Sequence, residues 1–374
     1  MHYAHVCLES FGYVLPEEVV TSDEIEQRLQ PVYRRLRLPE GRLELMTGIR
    51  ERRFWARGTL PSTISVESAE AALQAAEFDR GLVGALIHGS VCRDFLEPAT
   101  ASGVHHRLGL PGPCQVYDVS NACLGLLNGM VQVANMIELG QIRAGLVVGT
   151  EGGRELVENT IRSLNADTTL TREQVKLAVA SLTIGSASCA VLLVDRRLSQ
   201  TGNRLTVAVA RAQTEGHALC QSGRDEAVAG GMQPLMQTDS ERLMRDGVAT
   251  GAATFADFLQ QTGWSREDVH KTFCHQVGHA HRKLLLETLG LPPEIDYTTL
   301  SWLGNTGSAA LPITMALGCQ EDHVKAGEHV GLLGIGSGIH CLMLAVHWQQ
   351  SRIAGQGDPG LKKSVAADTD RACT

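Results

Sequence analysis

Short runs of Val, Leu and Ile, each closed by small residues, recur along the chain: 82–88 "LVGALIH", 145–149 "GLVVG", 189–194 "CAVLLV", 269–274 "VHKTFC" and 330–335 "VGLLGI". Runs without polar alternation suit strands that are covered on both faces. Between them, apolar positions return with helical spacing at 67–77 "ESAEAALQAAE", 240–262, 281–289 and 308–318. Strands alternating with helices in this way predict a layered α/β fold.

The order of these elements repeats. Strand 82–91, a polar loop, a helix from Cys123, strand 145–149 and strand 182–194 match strand 269–274, a loop, a helix after Asn305, strand 330–335 and strand 339–346. The pattern predicts two similar halves, 1–200 and 201–348, although residue identity between them is negligible. The final segment, 349–374, has few apolar residues and no periodicity, which predicts a disordered tail.

Composition narrows the class. The 374 residues are 43% hydrophobic and 20% charged with 39 Gly, a profile of globular and not fibrous or disordered chains. Single cores stop growing near about 250 to 300 residues, a second reason to expect two halves. A net charge of −8 opposes a nucleic-acid or anionic-membrane surface, either of which needs a basic field. No apolar run reaches the roughly 18 residues of a membrane span. The start, "MHYAHVCLESFG", alternates like a strand and lacks a secretory signal's features, so the expected location is the cytoplasm. Ten cysteines are scattered singly, as reduced, buried small hydrophobes would be.

One of them stands apart. In "DVSNACLGLLNGM", residues 118–130, Cys123 opens a helical stretch to Gly140 that is apolar on most sides and therefore enclosed by protein. Gly125 and Gly129 offer one smooth face for close approach of another helix. A thiol in the first turn of such a helix meets unpaired N–H groups and a favourable dipole, which predicts a pKa lowered into the ~3.5–7.5 range. The alternative is one more buried cysteine.

A nucleophilic thiol needs a proton acceptor and donors for the oxyanion it creates. In "FCHQVGHAHRK", His275 follows an apolar strand, where a parallel α/β sheet presents its chemistry. A metal reading of His275 and His279 is weak, because Gln276 stands where the zinc-protease pattern needs Glu and no third ligand is evident. No metal or other cofactor is expected. "WLGNTGSAALPI" sets Asn305 between glycines before an apolar helix, where a helix cap is the alternative role. "LLGIGSGIHC" surrounds Ser337 with Gly334, Gly336 and Gly338 and matches neither a dinucleotide fingerprint nor a hydrolase elbow. A tight loop donating backbone N–H groups fits it better.

Together, "DVSNAC", "HQVGHAH", "GNTGSAA" and "GIGSG", in this order and preceded by "TGIRERRFW" at 47–55, resemble the thiolase superfamily in its ketoacyl synthase III-like branch. The resemblance covers residues 1–348. It implies a five-layered α-β-α-β-α fold with duplicated halves, a homodimer and a Cys-His-Asn site. Cys123 would carry the acyl group, His275 and Asn305 would hold the second thioester's oxygen, and the backbone N–H groups of Cys123 and Ser337 would form the oxyanion hole.

"SVCRDFLEPATAS", residues 90–102, resembles the olefin-biosynthesis members of that branch (OleA type), which join two long-chain acyl-CoA thioesters head to head. The resemblance implies that Glu97 reaches the partner subunit's site. Joining two plain acyl chains requires removal of a weakly acidic α-proton, so a base is needed, and a desolvated Glu97 suits that task. The implied activity is a non-decarboxylative Claisen condensation with fatty acyl-CoA as substrate. Alternatives are a decarboxylative synthase working with an acyl carrier protein, and a non-catalytic acyl-binding or thiol-sensing protein on the same scaffold. The branch's adenine-stacking Trp is replaced by Arg42, and the basic run Arg34, Arg35, Arg37, Arg42, Arg50, Arg52 and Arg53 is expected to be mostly a solvated, salt-bridged face.

Overall fold

The apolar runs become central strands. The computed structural model describes residues 1–223 and 236–357, and its main sheet holds β1 (Val6–Val14), β2 (Ala85–Gly89), β3 (Gln115–Val119), β4 (Ala144–Glu151), β5 (Ala187–Asp195), β6 (Arg204–Ala212), β7 (Lys271–Cys274), β8 (His329–Gly336), β9 (His340–His347) and β10 (Ile353–Gln356). The spatial order is β7-β8-β9-β6-β1-β5-β4-β2-β3, with β10 beside β1.

This order is the same motif twice. In the first half β2 runs parallel to β3 and β4, while β4–β5 and β5–β1 are antiparallel. In the second half β7 runs parallel to β8, while β8–β9 and β9–β6 are antiparallel. Where the first half has β3, the second has a parallel bridge between Thr272 and Asp296. The halves join where Cys7 of β1 pairs with Arg204 of β6, after the connection at 196–203.

Six helices complete the layers: α1 (Pro61–Ala75), α2 (Thr100–Leu108), α3 (Gly125–Glu138), α4 (Ser240–Thr262), α5 (His279–Leu289) and α6 (Ala310–Gln320). Successive strand residues point to opposite faces, so each strand feeds two cores. Ala85 and Ile87 of β2 and Val330 and Leu332 of β8 pack into a central cluster with Leu126, Met130 and Val133 of α3 and Leu311, Ile313 and Met315 of α6. Leu86 turns outward to Ala69 and Ala72 of α1 and Val104 of α2. Leu333 and Ile335 turn outward to Phe255 and Phe258 of α4 and Leu285 of α5. The result is the five-layered α-β-α-β-α arrangement that the resemblance implies. Shorter helices, among them Ser22–Arg28, Gln30–Leu36, Arg42–Thr47 and Arg154–Ala166, build a separate cluster around Ile25, Val32 and Val157.

The expectations need four corrections. Helix 67–77 starts earlier, at Pro61, whose missing N–H and fixed φ suit a first helical position. Gly125 and Gly129 face strands instead of a helix: a Cβ at Gly129 would stand 2.5 Å from Val147 Cγ1, and one at Gly125 would stand 3.1 Å from Gly89 C. The tail is ordered at its start, where Ile353–Gln356 pairs in parallel with Phe11–Val14. That pairing uses backbone hydrogen bonds, which a hydropathy pattern does not record; residues 358–374 lie outside the described residues. The basic run is not a solvated face throughout, because Arg52 is fully buried and donates to Val20 O, Ser22 Oγ and Leu182 O. Arg53 is buried too and donates to Pro16 O.

Candidate active site

Cys123 precedes its helix by two residues. Leu124 is the N-cap of α3, and Leu124 N donates to Asn121 O at 2.9 Å. Ala122 takes a left-handed φ of 43°, rare for a residue with a Cβ, and this sharp turn presents Cys123 ahead of the helix. The thiol does not titrate as its position in sequence predicts. Cys123 is half-buried, and its thiol is pushed up to about 12, first by burial and then by the neighbouring Glu151 carboxylate and Cys220 thiol. Desolvation outweighs the helix dipole here, because α3 starts two residues later and lies in the central layer. The resting group is a thiol.

His275 continues β7 by one residue, and its N–H donates to Leu333 O of β8 at 3.3 Å. The ring is buried, its Nδ1 has no hydrogen-bond partner among the described residues, and its pKa is lowered to about 3 by burial and by His281. It is a neutral imidazole. The next residue fixes the turn: Gln276 Nε2 donates to Cys274 O at 2.7 Å, while its Oε1 accepts from Thr298 Oγ1, Thr299 N and Leu300 N. The Gln that breaks the zinc-protease pattern therefore ties two loops together. α5 begins only at His279, so His275 and His279 share no helical face. Among the described residues no group of three His, Cys, Asp or Glu side chains is arranged to hold a metal ion.

Asn305 is not the cap of α6, whose N-cap is Ala309. Its backbone is held at both ends, N to Thr183 O at 2.9 Å and O to Gly185 N at 2.8 Å. Its Oδ1 accepts from Gly307 N at 3.0 Å, which leaves the amide nitrogen as the donor it offers a substrate oxygen. Ser337 lies in the turn between β8 and β9.

Packing brings these segments to one place. A Cβ at Gly334 would stand 2.7 Å from Leu124 Cδ2, and one at Gly336 would stand 3.0 Å from Leu124 Cγ, so the Ser337 hairpin lies on the residue after Cys123. Gly334 is also the neighbour of Leu333, to which His275 is bonded. Ser308, three residues after Asn305, donates to Gly89 O at 2.7 Å, and Gly89 packs on Gly125 at the head of α3. Cys123, His275, Asn305 and Ser337 thus belong to adjoining segments at one end of the central layer.

Glu97 lies elsewhere. It is exposed on the loop between β2 and α2, beside Phe95 at 59% and Leu96 at 53% exposure. The residue missed in the sequence is Glu151, buried at the end of β4 and bonded to Ser308. A carboxylate followed by two glycines at a strand end, "TEGGR", was the available signal.

Comparison with known proteins agrees with this geometry. Residues 45–181 match the thiolase N-terminal domain, and residues 259–348 match the C-terminal part of 3-oxoacyl-(acyl-carrier-protein) synthase III. An acyl-CoA:acyl-CoA alkyltransferase of Shewanella oneidensis is 40% identical over 93% of this chain and 100% of its own length. Another, from Xanthomonas campestris, is 33% identical over 93% and 100%. A crystal structure of Xanthomonas campestris OleA superposes with a TM-score of 0.87 at 32% identity, covering 93% of this chain and 98% of that one. The chain belongs to the thiolase superfamily and, within it, to the family of acyl-CoA:acyl-CoA alkyltransferases (OleA).

Proposed function

We propose that the protein condenses two fatty acyl-CoA molecules head to head without decarboxylation, through an acyl-Cys123 intermediate. The observation that carries this reading is the meeting of the Cys123 turn, the end of β7 at His275 and the Asn305 loop around Leu124, Gly334 and Ser308. In the first step the Cys123 sulfur attacks the thioester carbonyl, and the backbone N–H groups of Cys123 and Ser337 receive the oxyanion. The C–S bond to CoA breaks, and the thiol proton ends on the departing CoA sulfur, with the neutral His275 ring able to accept it in between.

In the second step Glu97 of a second copy removes an α-proton from another acyl-CoA. The enolate oxygen is held by the Asn305 amide and by the N–H of neutral His275, a role that the low pKa of this ring suits. The enolate carbon attacks the acyl-Cys123 carbonyl, the C–S bond breaks, and a β-keto acyl-CoA leaves; the cysteine sulfur takes up one proton and Glu97 gives up the α-proton it removed, so the free thiol and the carboxylate base are both restored. One CoA is released per pair joined.

Two features support the substrate and the assembly. An apolar cavity of about 110 Å³ lined by Val32, Leu43, Leu164 and Leu182 has Arg37 and Arg42 among its lining residues; its size takes a segment of an acyl chain and not a whole acyl-pantetheine, and its guanidinium groups are of the kind that pair with phosphate. Leu182 adjoins Thr183, which bonds Asn305. The exposed Val91, Phe95 and Leu96 around Glu97 form an apolar loop suited to a homodimer contact. The thiol-sensor alternative is disfavoured because sensing cysteines need an accessible thiolate, and Cys123 is held as a thiol.

The test supplies one fatty acyl-CoA to the purified protein with and without a malonyl thioester. Release of CoA and a β-keto product of doubled chain length are expected without the malonyl compound. Product formed only when malonyl thioester is present sinks the reading in favour of a decarboxylative synthase.

A further inference from the structure

Glu151 is buried at the end of β4 without an ion-pair partner among the described residues, and its carboxyl accepts hydrogen bonds from Val91 and Ser308. Its Oε1 accepts from Ser308 Oγ at 2.5 Å, from Ser308 N at 3.2 Å and from Val91 N at 3.4 Å. Ser308 belongs to the loop that presents Asn305. Val91 and Cys92 open the loop that presents Glu97, and Gly152 N donates to Cys92 Sγ at 3.3 Å from the residue after Glu151. The carboxyl therefore joins a loop of the second half to a loop of the first, near enough to Cys123 for its charge to raise that thiol.

The surroundings are shaped for this carboxyl. Gly307, at φ +56°, lies where a Cβ would stand 2.9 Å from Glu151 Cδ, so the Asn305 loop closes on Glu151 only with glycine there. Trp55 Nε1 holds the Glu151 backbone oxygen at 2.9 Å and fixes the residue from the far side. A buried carboxyl costs free energy unless it is well bonded. Neither acyl transfer nor α-proton removal, as derived above, uses it.

We infer that Glu151 is a positioning residue for the condensation step: it fastens the Asn305 loop and the root of the Glu97 loop to each other near Cys123, so that the enolate's holder and the base's carrier keep one spacing. This rests on the condensation proposed above. Acyl transfer to Cys123 uses neither loop's side chain, so loosening the tie slows carbon-carbon bond formation more than thioester formation. A second signature is electrostatic. Burial raises the pKa of the Glu151 carboxyl, and in its ionised form it disfavours the Cys123 thiolate, so removing it makes the thiol more acidic in the range where that carboxyl is charged.

The experiment compares full-length wild type with Glu151→Ala, Glu151→Gln and Ser308→Ala. The initial CoA burst reads acyl transfer, steady-state product reads condensation, and the pH midpoint of Cys123 alkylation by iodoacetamide reads the thiol. Glu151→Ala is expected to lower condensation about 10²-fold, as ångström-scale misplacement does, with the burst reduced less than about 10-fold. Glu151→Gln, which keeps an accepting oxygen for Ser308, should recover at least half of that loss on a logarithmic scale while keeping the alkylation midpoint shifted to lower pH. Ser308→Ala removes only a hydroxyl and repeats the selective loss of condensation should Glu151→Ala not fold. The inference is overturned if burst and condensation fall by the same factor in Ser308→Ala, or if the alkylation midpoint does not move in Glu151→Gln. Absence of a burst in wild type would instead overturn the condensation reading.

Discussion

β2 and β7 occupy the same place in the two halves of the duplicated sheet, yet the loops they lead into differ in kind. After β7 the chain turns inward: His275 is buried, and Gln276 locks the turn to Thr298, Thr299 and Leu300 with three hydrogen bonds and to Cys274 O with a fourth. After β2 the chain turns outward and presents Val91, Phe95, Leu96 and Glu97 to solvent. One copy of the motif has become a finished wall of the site, the other a protruding loop. Duplication thus supplies two equivalent strand ends, and the difference between them teaches that one end can be locked into the chain's own interior while the other is left outside; on the proposed reading the first holds the enolate oxygen and the second carries the base to another copy.

The sharpest way to break this contrast is at the outward loop. Glu97→Ala is expected to lower condensation by about 10² to 10⁴-fold, the usual contribution of a general base, while the acyl-Cys123 adduct still forms. Steady-state product and intact-protein mass separate the two, and equal loss of both would place Glu97 in the acyl-transfer step instead. On the inward side, Asn305→Ala is expected to cost about 10² to 10³-fold in condensation, the range for one oxyanion donor. Unchanged turnover would remove the amide from the enolate's surroundings.

Gln276→Ala tests whether the inward turn is rigid because of its bonds. It leaves the N–H of Thr299 and the hydroxyl of Thr298 without this acceptor and should destabilise the fold by about 1 to 3 kcal/mol in denaturant titration. An effect of similar size is expected on stability against pH. His88, His275 and His281 are buried with lowered pKa values, about 3 for His275 and about 4 for His281. Their folded values lie below the unfolded value of about 6.5, so the unfolded chain binds more protons below that pH. Their contribution to stability is full above about pH 6.5 and is lost as pH falls toward 4 and 3. A melting temperature lower by about 5 to 10 °C at pH 5 than at pH 7.5 is expected; an equal value at both would mean that these rings are not neutral in the fold.

Much of this was legible in the sequence because strand runs and motif order are local signals. The five strands read from apolar runs and the helix at 240–262 fall where the pattern puts them, and His275 follows its strand as read, whereas Cys123 stands two residues ahead of its helix and not in the first turn. What was not legible depends on partners distant in the chain. The thiol of Cys123 is governed by burial and by Glu151, 28 positions away in the numbering, and not by the dipole of its own helix. Glu151 itself gave no periodic signal, since its meaning lies in Ser308 and Val91. The strand Ile353–Gln356 was hidden because the edge of β1 that receives it offers backbone, not a hydrophobic pattern. Burial of Arg52 within "TGIRERRFW" was likewise set by carbonyls at positions 20 and 182.

The central claim is that Cys123 carries an acyl group drawn from a plain fatty acyl-CoA. The most direct measurement is intact-protein mass spectrometry after brief exposure to one such thioester, with Cys123→Ser as control. The account predicts a mass gain of one acyl chain on Cys123, absent from the control and matched by one equivalent of released CoA. An unmodified Cys123 with bound, unreacted acyl-CoA would contradict it.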